Sequence, residues 1–202
     1  MVGGRDRSEP GIDFAADATL ADLEVAAVAL WAEILHRVPG SKLMLRDRAF
    51  RHPETLADLI DRFGNFGVAD RVDIVTADSA EALFVEADVA LLPLACPQPA
   101  TVAAALAAGI PLVCLAGEGR HRRLAASLIH HLGLGVGAIA DGAEDYARLA
   151  ARWAEDAGAR TAFRGSLGER LGSSEAADPR ARARDLQAAL ERMWRETCAS
   201  GR

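Results

Sequence analysis

The apolar residues follow two rhythms along the chain. From Thr19 to Arg37, Leu20, Leu23, Ala27, Leu30 and Ile34 recur every three or four positions, the stripe of an amphipathic helix. Thr19 serves as its N-cap and Pro39-Gly40 as its stop. Short apolar runs then alternate with helical stretches. Leu43-Met44-Leu45, Val72-Asp73-Ile74-Val75, Val89-Ala90-Leu91-Leu92, Leu112-Val113-Cys114-Leu115 and the weaker Ala138-Ile139-Ala140 read as strands. Between them the pattern predicts helices over 53–63, 80–87, 100–108 and 121–132, with Asp78 or Ser79 capping the second and Gly109 ending the third. Three more helices follow, over 145–155, 159–171 and 179–198. In the last, Ala183, Leu186, Leu190, Met193 or Trp194, and Thr197 share one face.

Strands alternating with helices specify a parallel sheet with right-handed crossovers. The expected fold is α/β: a doubly wound sheet of about five strands, closed by a C-terminal helix that folds back. Residues 1–18 are polar and glycine-rich, with Pro10, and read as a flexible N-terminal arm; residues 19–202 read as the domain. No charged residue occurs from Val89 to Gly117, yet Pro93, Pro97, Pro99 and Pro111 cut that stretch into pieces shorter than the ~20 apolar residues a membrane span needs. It reads as buried strand, helix and strand, so no membrane partner is expected.

Composition narrows the function classes. A net charge of −6 speaks against a broad electrostatic grip on nucleic acid. Lys42 is the only lysine. Cys96, Cys114 and Cys198 are far apart, which excludes a zinc ribbon or a thioredoxin-like site. An odd cysteine count without an apolar leader points to a reducing, cytoplasmic setting. His130 and His131 project about 100° apart on a helix, so the pair suits the helix C-terminus better than a shared metal ion.

In an open parallel sheet, ligands sit beyond the carboxyl ends of the strands, beside helix N-termini. That singles out four loops: Arg46-Asp47-Arg48, Thr76-Ala77-Asp78, Leu94 to Thr101, and Ala116 to Arg123. The third leads into a helix whose free N–H groups suit a phosphate, with Thr101 the one hydroxyl in its first turn; equally, it is a proline-stiffened turn with Thr101 as a cap. In the fourth, Gly117 and Gly119 allow close backbone approach and Arg120, Arg122 and Arg123 can face an anion; equally, it is a solvated, charged helix start. Cys96, in the third loop, reads as a small buried residue.

Several segments resemble the C-terminal half of the O-GlcNAc transferase/SPINDLY glycosyltransferase family. They are Leu30-Trp31-Ala32-Glu33-Ile34-Leu35-His36-Arg37-Val38-Pro39-Gly40-Ser41, Ala87-Asp88-Val89-Ala90-Leu91, Leu106-Ala107-Ala108-Gly109-Ile110-Pro111-Leu112-Val113, Arg123-Leu124-Ala125-Ala126-Ser127-Leu128, and Arg184-Asp185-Leu186 with Met193-Trp194. Their order and spacing hold across about residues 20–198. The resemblance implies a Rossmann-like domain, the C-terminal half of a GT-B fold that binds the UDP-sugar donor without a metal or other cofactor. It also implies a partner, an N-terminal glycosyltransferase half or a tetratricopeptide-repeat protein, because the family's repeats and N-terminal catalytic half have no counterpart in these residues. The donor-phosphate residues it implies are Arg46, Thr101, Gly117 and Arg123.

The departures fall on the phosphate loop. Where the family reads Asn-Gly-His/Thr-Thr-Thr, this chain has Pro97-Gln98-Pro99-Ala100-Thr101-Val102, which keeps only Thr101 and loses a backbone donor at Pro99. The family's diphosphate lysine before the first helix falls on Thr19 or Asp22, and its ribose-contacting acid falls on Ala104. At ~1.5–3 kcal/mol per charge-assisted contact, these losses weaken donor binding by about three orders of magnitude. Two functions are therefore expected to compete: a nucleotide-sugar-binding half, incomplete for catalysis alone, and a degenerate, non-catalytic module for protein–protein contact.

Overall fold

The computed structural model describes residues 11–95, 97–117, 119–174 and 178–199, with 120–122 described in their backbone alone. Cys96, residues 1–10 of the expected arm, and the side chains of Arg120 and Arg122 lie outside the described residues.

Six strands form one all-parallel sheet: β1 (Asp13–Asp17), β2 (Lys42–Arg46), β3 (Val72–Ile74), β4 (Val89–Leu91), β5 (Leu112–Leu115) and β6 (Ile139–Ala140). The order is β3-β2-β1-β4-β5-β6, the doubly wound arrangement with a reversal between β1 and β4. The helices are α1 (Val25–Arg37), α2 (Pro53–Gly64), α3 (Ala80–Val85), α4 (Pro99–Ala107), α5 (Arg120–His131), α6 (Ala143–Glu155), α7 (Ala157–Ser173) and α8 (Pro179–Ala199).

The expectation of an arm over 1–18 is corrected at its C-terminal end, because β1 is the central strand. It pairs with β2 from Asp13↔Lys42 to Asp17↔Arg46, and with β4 at Phe14↔Val89 and Ala15↔Ala90. Phe14, Ala15 and Ala16 are wholly buried. Phe14 and Ala16 face the core beneath α1, α2 and α6, whereas Ala15 faces the core beneath α3, α4, α5 and α7, as strand alternation requires. The segment is inconspicuous in sequence because alanine has little β-propensity and an aspartate closes each end. Those ends are anchored: the Asp13 N–H donates to Asp88 Oδ2 at 3.0 Å.

Local chemistry sets most other boundaries. The predicted first helix divides into a 3-10 turn at Leu20–Asp22 and then α1. Ser79 Oγ accepts from the Ala82 N–H at 3.2 Å and so starts α3. Gly109 ends α4 at φ +71°, where an added Cβ would lie 3.1 Å from Arg164 Cγ.

The helix that closes the sheet is α6, which packs on α1, β4, β5 and β6. The buried Tyr146 hydroxyl donates to the Leu92 carbonyl at 2.9 Å, tying α6 to the end of β4. The last helix does not fold back: α8 buries none of its residues, and its Trp194 is 69% exposed, unlike the fully buried Trp31. The reason lies in its composition, a narrow apolar stripe among charged residues that offers too little area to compete with α6 for the sheet.

Phe14→Ala removes a large, fully buried side chain from the central strand. Urea unfolding should show a loss of about 3–5 kcal/mol, whereas an arm outside the fold would show almost none.

Candidate functional site

A cleft of about 530 Å³ opens beyond the carboxyl ends of β1, β2 and β4, at the point where the strand order reverses. Each element delivers residues to it for a structural reason. Register sets Asp17, the last residue of β1, beside Arg46, the last of β2, and the two side chains form an ion pair. Arg46 Nε also donates to the Ala77 carbonyl at 2.9 Å and Nη2 to the Asp78 carbonyl at 3.2 Å, so this guanidinium ties the end of β2 to the end of β1 and to the loop after β3. Across the cleft, Thr101 lies in the first turn of α4, only 4% exposed, with its residue on the cleft wall.

The backbone donors around the cleft are largely taken. Asp22 Oδ2 accepts from the Thr19 N–H at 2.9 Å and from its hydroxyl at 2.6 Å. Asp47 Oδ2 accepts from the Leu20 N–H at 2.8 Å while Oδ1 accepts from the Ala49 N–H at 3.2 Å. In a doubly wound fold the turn after β1 is where a phosphate meets helix N–H groups; here two internal carboxylates occupy that place. At α4, Pro99 has no N–H and the Thr101 N–H donates to the Gln98 carbonyl at 3.0 Å, so of the first three amides only that of Ala100, next in sequence to the wall residue Thr101, is left outside the described backbone bonds. Among the described lining residues Asp17, Asp22 and Asp47 outnumber Arg46 and Arg48, so the wall is not electropositive. Beside it, the Glu81 carboxyl is held below the usual carboxylate range by its own backbone N–H and by the Ser79 hydroxyl, with Arg46 adding a smaller pull.

The four expected phosphate residues are thus divided. Arg46 and Thr101 line one cleft. Gly117 follows β5, beyond Ala116, whose N–H donates to the Ala140 carbonyl at 2.8 Å, and it is not on the cleft wall. Arg123 is exposed in the first turn of α5 and is likewise absent from that wall, so of the crevice expected around Arg46, Thr101 and Arg123 the structure brings together Arg46 and Thr101. The reason is lateral spacing: α5 follows β5, one strand further from the reversal than β4 and α4. Sequence reading had no signal for Asp17, since the strand ending there was unrecognised.

Cys114, in β5, is wholly buried, and desolvation pushes its thiol up to about 12. Because the folded thiol binds its proton more tightly than the unfolded one, whose value is about 8.5, its contribution to stability is complete below that value and is lost as pH rises towards 12. Peptide mapping after thiol labelling at pH 8 should find the exposed Cys198 modified and Cys114 modified only in denaturant.

The model of glycosyl transferase family 41 matches residues 9–186. The chain is 27% identical, over 192 residues, to the probable UDP-N-acetylglucosamine–peptide N-acetylglucosaminyltransferase SPINDLY of Hordeum vulgare, covering 93% of this chain and 20% of that protein. The Oryza sativa subsp. japonica counterpart matches at 27% identity with 21% covered. The chain therefore spans about a fifth of the length of the curated relatives it matches. Among solved structures, a lysine-to-methionine mutant of Thermobaculum terrenum O-GlcNAc transferase superposes with a TM-score of 0.84 at 26% identity, over 95% of this chain and 37% of that one. Anabaena HepE, crystallised with UDP and glucose, shares the fold at a TM-score of 0.60 and 16% identity, over 90% and 48% of the two chains.

Proposed function

The chain belongs to glycosyl transferase family 41, and from that premise we propose that its domain, a Rossmann-like GT-B half, takes the nucleotide of a UDP-sugar in the cleft between β1 and β4. The observation that supports this reading is the position of the cleft: it lies at the strand-order reversal, with Thr101 and the α4 N-terminus on one wall and Arg46 on the other. In this reading the base and ribose supply much of the contact. The diphosphate is met by the Thr101 hydroxyl, the Ala100 N–H and whatever share of Arg46 is released from Asp17, with no metal ion required. Transfer itself needs a second wall, and the partner proposed to supply it is an N-terminal-type glycosyltransferase half or a repeat protein carrying one. The proposed compartment is the cytoplasm, in keeping with the free Cys114 and Cys198; no helix among the described residues is long and apolar enough to cross a membrane.

A second reading, a non-catalytic module acting through protein contact, is favoured by the three carboxylates already occupying the amides and the guanidinium that would hold a diphosphate.

Calorimetry with UDP, UDP-N-acetylglucosamine and uridine separates the two. Donor binding predicts saturable heat with UDP at submillimolar to millimolar concentration, weakened about tenfold or more by Arg46→Ala. Asp17→Asn should strengthen UDP binding severalfold, because it frees the guanidinium and removes a like charge. Absence of heat with UDP in both the native chain and the Asp17→Asn variant supports the second reading.

A further inference from the structure

Helix α8 is 21 residues long, about 31 Å, and none of its side chains is buried. Its apolar residues are nevertheless ordered. Ala183, Leu186, Leu190, Met193 and Thr197 follow spacings of three, four, three and four, the a and d positions of a coiled-coil seam. Leu186, Leu190, Met193 and the flanking Trp194 are 57–69% exposed. Exposed-face pairs such as Glu191–Arg195 at 3.2 Å add only a few tenths of a kcal/mol each. A helix bearing such a seam gains most of its stability by covering it.

We propose that the occupant of this seam is α8 of a second copy of the chain, paired antiparallel. The seam is complementary to itself in that direction. With Leu186 level with Leu190 of the second copy, Ala183 meets Met193, small against large. Ala189 meets Ala189 at the two-fold axis, where small side chains let the backbones approach. At the flanks Arg182 faces Glu196 and Arg180 faces the Trp194 ring, each pair offset by two residues, about 3 Å, from the level of the seam pairs, an ion pair and a cation–π contact made twice by symmetry. A parallel pair would instead set Arg182 against Gln187 and Ala189 against Trp194, with no opposite charges facing. Two helices of this length bury on the order of 1,000 Å², at the lower bound of a specific interface, so the dimer is concentration-dependent. This inference rests on α8 alone and is independent of the nucleotide reading.

Sedimentation equilibrium of the full chain under reducing conditions, which removes cross-linking through Cys198, tests it over roughly a hundredfold range of concentration. The mass should rise from 21.3 kDa towards twice that value. Leu190→Glu should hold the chain at the monomer mass, with the thermal unfolding midpoint of the native chain at concentrations where that chain is monomeric, since Leu190 is 57% exposed and not part of the domain core. Arg182→Glu and Glu196→Arg should each weaken the dimer about fivefold, and the double variant should restore it. A native chain that stays monomeric throughout overturns the proposal, as it would if the seam were built for a different protein. A dimer indifferent to Leu190→Glu, or a charge swap that restores nothing, overturns it as well.

Discussion

The pairing of Asp13–Asp17 between β2 and β4 organises this molecule. With β1 in the middle, the chain winds outward twice, through β2 and β3 on one side and β4, β5 and β6 on the other. The reversal leaves a gap between the loop after β1 and the loop after β4, and no connection fills it. The cleft is that gap. The same pairing delivers Asp17 to the end of Arg46, so the central strand fixes both the place of the site and its electrostatic character. Its three buried residues are small apart from Phe14, which lets helices lie close on both faces of the sheet.

The cleft keeps the geometry of an anion site while its charges have been turned inward. A helix-turn N–H attracts a phosphate because nothing else satisfies it. Here Asp22 and Asp47 satisfy those donors, and Asp17 engages the guanidinium. Each contact stabilises the fold locally, and each is one that an incoming diphosphate would have to displace. Ligand affinity and local stability thus draw on the same donors. That competition, more than any missing residue taken alone, separates this cleft from an open phosphate cradle.

Two regions of apolar surface meet different fates. The stripes of α1 and α6 are wide and close over the sheet, with Trp31 and Tyr146 wholly buried between the layers. The stripe of α8 is one seam wide, flanked by arginine, glutamate and glutamine, and stays in solvent. A narrow seam suits a helix of matching width far better than it suits the broad face of a sheet.

What the sequence by itself determined were the features carried by periodicity and local chemistry. The five apolar strands, the helices between them, the stop at Gly109 and the α/β alternation were all legible, because each is set by neighbours within a few residues. Segments matching the family were equally plain from their order. The central strand was not legible: Phe14-Ala15-Ala16 has no strand signature of its own and becomes β1 only because two neighbouring strands supply hydrogen bonds on both edges. Nor could spacing along the chain tell that Thr101 and Arg46, 55 positions apart, share one cleft while Arg123 stands on the next helix. Those relations depend on which strands lie side by side, and strand order is decided by packing the whole sheet between its two helical layers.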